Sequence, residues 1–581
     1  TTSRSPPHLA AGCARAQAGT LPGGIAMAII LRVPLALLLL AAPGLGLRAR
    51  EDFPVTFPWG RRGALTCTPL TNHGTHFTAR IEVGTPPQAF DLVADTGSDS
   101  VVVSSCFCVQ PSRGKKKCPK EKTNCFKGQN RSSTFSIPGA KNSAVPLVEL
   151  SFNSGKVEAV IASDVVRVGR VSTDMDNGLL LMVDQALEVK GPFQGILGLG
   201  LPRPSVQETA LLLELSSASR ELSAFNSAGA VSTRFSSEGW ESAFQSYMGV
   251  DARSQSKELA LASQSRPRPP TEDVEEGPPF TSKSFLETAG VSRFSMCFNS
   301  GSDGVLRLET PKDPAALGSI GKLHWALELR GISVGNSSMP VVLCDPSSAK
   351  QGQASPCGTI PDSGTTTLMG PEDHVKTLFS TLCDNWERCR ESVKAHKKYA
   401  KWAVFAIELS SCSDWIEKEG LEALPPVRFK VRGSQGKDRV LEIPAKNYVI
   451  STMEDEVHTV TQHLGGIFPK KAFAKTGKQV RKCVSAFGVM DYQTSLNGPV
   501  WVLGAPVFYS YQVGYDLKSK PPSVSFSTEK CGSCPGQTSL YALNSEIKGA
   551  PPQEDARSAA TALPLISGPV RVGNLDTSLP L

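Results

Sequence analysis

One short unit occurs twice in this chain, and that repetition limits what the chain can fold into. Leu92-Val93-Ala94-Asp95-Thr96-Gly97-Ser98 and Ile360-Pro361-Asp362-Ser363-Gly364-Thr365-Thr366 each place Asp, a hydroxyl residue and Gly directly after an apolar, strand-like run. Each is matched downstream by two apolar residues and a glycine, Ile196-Leu197-Gly198 in the first half and Val502-Leu503-Gly504 in the second. Alone, either motif would read as a strand ending in an Asx turn, with Asp capping its own backbone and Gly supplying a positive φ. Repeated with the same downstream partner, the two imply similar lobes, each contributing one Asp to a shared cleft.

The surrounding pattern is all-β. Short apolar runs such as Phe77 to Val83, Phe90 to Ala94, Val101 to Val103 and Val157 to Ile161 are separated by Gly, Pro, Asn and Ser clusters. Similar runs return at Trp325 to Leu329, Val427 to Val431 and Tyr511 to Tyr515, interrupted by one helical patch near Pro371 to Lys401. These place an N-terminal β lobe at 67–310 and a C-terminal β lobe at 311–534. Residues 216–265 hold 14 serines, too little apolar surface for a core, so 216–283 reads as a flexible insertion in the first lobe. Some helix within Ala210 to Leu222 is compatible with the pattern. The tail 535–581 is polar and reads as disordered.

Residues 1–26 precede the first methionine, Met27, and read as lying upstream of the native start. The segment 27–47 has a basic residue, an apolar stretch from Val33 to Ala42 and small residues after it, the pattern of a secretory signal. Residues 48–66 then form a short prosegment or extension, with Arg61-Arg62 as a candidate processing site. Without residues 1–47, 58 basic residues face 54 acidic ones and 14 cysteines remain. A charge excess that small and scattered does not point to nucleic acid, and no later stretch is long and apolar enough to span a membrane. An even cysteine count fits disulfides formed in the secretory pathway, and Asn130 and Asn336 head Asn-x-Ser sequons. Cys344 with Cys357 and Cys383 with Cys389 are close enough in sequence to pair. Cys531-Gly532-Ser533-Cys534 reads as structural, since no thioredoxin-like pattern surrounds it. No HExxH or zinc-ribbon spacing is present, so no metal site is expected.

From about Phe77 to Ser527 the chain resembles the pepsin-like aspartic proteases. The landmarks are Ile81-Glu82-Val83-Gly84-Thr85-Pro86-Pro87-Gln88, Ser132-Ser133-Thr134-Phe135 and Phe193-Gln194-Gly195-Ile196-Leu197-Gly198-Leu199-Gly200. In the second half they are Leu368-Met369-Gly370-Pro371, Ile443-Pro444 to Tyr448 and Trp501-Val502-Leu503-Gly504. The resemblance implies a two-lobed fold with a central cleft and Asp95 and Asp362 as the catalytic pair. Two carboxylates a few ångströms apart cannot both ionise cheaply and share a proton, for which aspartic proteases are themselves the standard illustration. One acts as general base on a water while the other donates to the scissile carbonyl. By the same resemblance Thr96 and Ser363 hold the loops together, Ser98 and Thr365 bond the outer carboxylate oxygens, and Gly97 and Gly364 let the loops turn tightly. Cys412 and Cys483 are the implied disulfide of the second lobe. The expected activity is endopeptidase cleavage of peptide or protein substrates at acidic pH, without cofactor or metal, by a monomer in an extracellular or acidic vacuolar or lysosomal compartment.

Three positions depart from the family pattern. Phe152, in the flap segment Phe152-Asn153-Ser154-Gly155, stands where the family has a Tyr, and Val102 stands where it has that residue's Trp partner. Pro361 removes a backbone donor directly before the second Asp. These favour the rival reading, a non-catalytic binding or inhibitor protein on the same scaffold. Against it, no Asp or neighbouring hydroxyl has been lost.

Overall fold

The computed structural model describes residues 66–106, 124–138, 147–152, 155–187, 193–203, 283–336, 341, 343–344, 347, 349–350, 352–464 and 468–534. The signal-like segment, Arg61-Arg62, nearly all of the 216–283 insertion, the 535–581 tail and the flap-tip residues Asn153 and Ser154 lie outside them.

The duplicated unit folds into the same three-strand crossing twice. In the first half the strand Gln88–Asp95 runs parallel to Gly195–Gly198, with Val93 opposite Ile196 and Asp95 opposite Gly198. Gly195–Gly198 is flanked on its other side by the antiparallel strand Val101–Ser104, which leaves the Asp95 turn. In the second half Gly358–Pro361 runs parallel to Gly498–Leu503, with Ile360 opposite Val502. Its antiparallel neighbour, Leu368–Gly370, leaves the Asp362 turn. The glycine ending each downstream motif is required by this crossing. A Cβ on Gly198 would lie 2.3 Å from the Ser100 nitrogen, and one on Gly504 would lie 2.3 Å from the Thr365 and Thr367 oxygens.

Thirteen of the described strands form one sheet, and seven form the central path of a second. The strands Gln512–Asp516 and Ser523–Ser527 join the first sheet, where Gln512–Asp516 pairs with Arg293–Asn299. The strands of residues 512–527 thus close onto the first half. Two disulfides fix this return: Cys534 bonds Cys67 and Cys531 bonds Cys297. The Cys531-to-Cys534 motif is structural, since each sulfur is bonded to a different distant strand.

The apolar runs become strands because alternate residues bury against a packed interior. Trp325, Trp501, Phe294 and Tyr515 are almost fully buried there. Trp325 does not join a strand, as its run suggested; the strand begins at Leu327, and the Trp325 indole donates to the Leu199 carbonyl at 3.1 Å. The helical patch is three helices, Glu372–Asp384, Glu387–Ala395 and Lys401–Ser410. The first carries Glu372 and Asp373 in its opening turn, where carboxylates favour the helix dipole. Cys383–Cys389 joins the first two helices, and Cys344–Cys357 and Cys412–Cys483 are also formed. A ribbon of two long strands, Val449–Leu464 and Phe468–Ser485, was not singled out in the sequence pattern. No described helix is long and apolar enough to cross a membrane.

Candidate active site

Each aspartate ends its strand and is held by its own turn. The Ser98 hydroxyl donates to Asp95 Oδ2 at 2.5 Å and the Gly97 amide to Asp95 Oδ1 at 2.9 Å. Thr365 and Gly364 make the same two bonds to Asp362, at 2.5 and 2.9 Å. The turns then grip each other. The Thr96 amide donates to Ser363 Oγ and the Ser363 amide to Thr96 Oγ1, both at 3.0 Å. The Ser363 hydroxyl donates to the Ala94 carbonyl at 2.8 Å, and that of Thr96 to the Pro361 carbonyl at 3.2 Å. The glycines close the approach, since a Cβ on Gly97 would sit 2.8 Å from Asp362 Oδ1 and one on Gly364 would sit 2.2 Å from Asp95 Oδ1.

Both carboxyls are fully buried. Burial first, and then the charge of Asp362, hold Asp95 well above the ordinary carboxylate range; donors from Ser98 and Gly97 pull it back. Burial likewise raises Asp362, against the donors of Thr365 and Gly364. The pair therefore keeps a proton to higher pH than isolated carboxyls would, and the titration belongs to the pair. One neutral and one ionised carboxyl can supply an acid and a base to the same bound molecule.

Pro361 leaves no ladder bond unmade. Asp362 donates its amide to the Leu503 carbonyl, so the nitrogen of Pro361 points to the opposite side of the strand. On that side the neighbouring strand Leu327–Val334 pairs only with Gly358 and Thr359. The Pro361 carbonyl accepts from Thr96 and, at 3.1 Å, from the buried Tyr515 hydroxyl. Sequence inspection marked Tyr515 only as part of a strand.

The expected flap is an antiparallel hairpin, Leu147–Phe152 with Gly155–Val168, in which Phe152 pairs with Gly155. Val102 is buried in an apolar cluster with Val93, Leu150, Val157, Leu180 and Ile196. Asn130 is exposed at the end of the short helix Gly128–Asn130, and Asn336 is exposed in a turn after Leu327–Val334.

The two halves thus bring a buried pair of aspartates together on turns that hydrogen-bond each other. A family profile described as eukaryotic aspartyl protease matches residues 76–222. Pregnancy-associated glycoprotein 1 of Ovis aries is 37% identical over 147 residues, 25% of this chain and 35% of that protein. Pepsin A-5 of Mus musculus is 33% identical over 149 residues, again 25% and 35% of the two chains. Chymosin of Camelus dromedarius is 30% identical over 161 residues, 26% and 37% of the two. The matched stretch thus spans about 35% of the length of these relatives. Over the matched stretch, residues 76–222, the chain is similar to the pepsin-like eukaryotic aspartyl proteases.

Proposed function

We propose that this protein is an aspartic endopeptidase that hydrolyses peptide bonds with a water activated between Asp95 and Asp362. The observation that carries this reading is the reciprocal arrangement of the two turns: each carboxylate has two donors of its own and the glycine of the opposite turn against it. In the cycle, the ionised carboxyl takes a proton from the water as it attacks. The neutral one donates to the carbonyl oxygen, whose charge is growing in the transition state. Buried donors fixed before substrate arrives need no rearrangement during reaction. An extended peptide would lie across the cleft beneath the hairpin Leu147–Phe152/Gly155–Val168. Disulfides joining twelve of the described cysteines favour an oxidising, secretory route.

The test is digestion of a mixed peptide library by the purified chain from pH 3 to pH 7, with and without a statine-type transition-state analogue. Acid-dependent cleavage blocked by the analogue supports the proposal. A second reading, a binding protein on this scaffold, is favoured by Val102 in place of a polar flap partner and by relatives named as glycoproteins rather than proteases. Analogue binding without any cleavage by folded protein would select it.

A further inference from the structure

The two aspartate turns are alike in their inner bonds and unlike one step further out. The segments 95–100 and 198–203 are zipped by three backbone bonds, Leu199 N to Asp95 O, Gly200 N to Ser98 O and Gly198 N to Ser100 O, at 2.6–3.0 Å. Arg203 closes the zip. Its Nε lies 2.7 Å from Asp99 Oδ2, and its Nη2 donates to Asp99 Oδ1 at 2.9 Å and to Ser100 Oγ at 2.6 Å. The pair is largely shielded, with side chains 24% and 14% exposed. By the internal repeat, the positions corresponding to Asp99, Ser100 and Arg203 in the second half are Thr366, Thr367 and Tyr509, none of which carries a charge. Asp99 directly follows Ser98, the residue that donates to Asp95.

We propose that Arg203 is a positioning residue for Asp95: by forking onto Asp99 and Ser100 it holds the turn that carries the aspartate, and it cancels the negative charge that Asp99 sets behind that turn. The inference rests on the proteolytic reading only for its kinetic test. A guanidinium suits the task because its planar fork fixes two partners at once, which an ammonium cannot do. Among the described residues, the other titratable groups facing the turn are Asp362 from the opposite turn, Tyr515 on Gln512–Asp516, and His324, which interacts with the Gly97 backbone and feels Asp99. Tyr515 is raised by burial and stays neutral. Among the described residues, His324 is a group that could supply a replacement positive charge to Asp99.

Charge cancellation predicts shifts of opposite sign, which simple loosening of the turn does not. Arg203→Gln leaves Asp99 uncancelled, so the pair should hold its proton more tightly and the alkaline limb of the kcat/KM profile should move up. Asp99→Asn leaves Arg203 uncancelled and should move the limb down; each shift should be about threefold in proton affinity through partly buried surroundings. The double variant should return to the wild-type position at a lower kcat. Arg203→Lys should keep the profile but lose about tenfold in kcat, because the charge remains and the fork does not. Arg203→Gln combined with His324→Asn should shift further than Arg203→Gln alone.

The same titrations are read without turnover from the carboxyl carbon resonances of Asp95 and Asp362 in the full chain. Opposite shifts in both readouts support the proposal. Shifts of the same sign, no shift, or an Arg203→Lys profile that matches Arg203→Gln overturn it. If the wild-type chain cleaves nothing while the resonances shift oppositely, the proteolytic reading fails and this one stands.

Discussion

Gly364 lies against Asp95: a methyl group on its α-carbon would sit 2.2 Å from Oδ1 of that carboxylate, although the two residues belong to different halves of the chain. The reciprocal approach, Gly97 to Asp362, leaves 2.8 Å. Each turn is therefore built to the shape of the other's aspartate.

Gly364→Ala should cost more activity than Gly97→Ala, because the tighter contact must turn the Asp95 carboxyl away from its bonds with the Gly97 amide and the Ser98 hydroxyl. A displacement of that kind is worth about a hundredfold in rate. Turnover of the best library peptide, with circular dichroism to show a retained fold, checks the order. Equal losses would mean that the glycines do not set the carboxyl positions.

Thr96→Val removes the hydroxyl that accepts from the Ser363 amide, stranding that buried donor, while the Pro361 carbonyl keeps the Tyr515 hydroxyl. The stranded group costs about 1–3 kcal/mol. Thermal unfolding should show Thr96→Val lowering Tm well below Thr96→Ser, which keeps the hydroxyl. A Val variant as stable as the Ser variant would remove the cross-turn bonds from the account.

Ser98→Ala removes a donor that favours the ionised form of Asp95, so that carboxyl should rise further and the alkaline limb of the pH profile should move up. A downward movement would contradict the bonding described.

Stability should depend on pH through two opposed groups. Burial lowers His324 from 6.5 to about 4, so its contribution is full above pH 6.5 and is lost as pH falls toward 4. The loss is on the order of 3 kcal/mol. The two aspartates, raised in the fold, act oppositely: they favour folding in acid, and this is lost as pH rises through their folded values. Urea midpoints at pH 7 and 4.5 should show a smaller fall on acidification for His324→Asn than for wild type. Asp95→Asn should raise stability at pH 7 more than at pH 3.

The Cys67–Cys534 bond spans 467 residues of sequence and ties the chain's return to its first described strand. Replacing both cysteines by serine should cost about 2–5 kcal/mol, read as a lower Tm.

The aspartates, their hydroxyl neighbours and the two-lobed β fold were legible in the sequence because they depend on local, repeated spacing. Strand runs such as Phe77 to Val83 were legible for the same reason. Pro361 looked disruptive because sequence does not reveal that its nitrogen faces a side where the neighbouring strand has stopped pairing. Tyr515, His324 and Arg203 were missed for a related reason. Each reaches the Asp95 turn from elsewhere in the chain, and a lone Tyr, His or Arg carries no signal of its destination. Asp99 stood directly beside the motif, but its partner becomes apparent only once the segments 95–100 and 198–203 are seen side by side.

The central claim is that Asp95 and Asp362 act as one unit on a peptide bond. The most direct measurement is the turnover of a library-derived peptide at acidic pH by wild type, Asp95→Asn, Asp362→Asn and the double variant. Residues that act as a unit fail together, so each single variant should lose at least about a thousandfold in kcat and the double variant should lose little more. Undiminished cleavage by either single variant, in protein shown to be folded, would contradict the account.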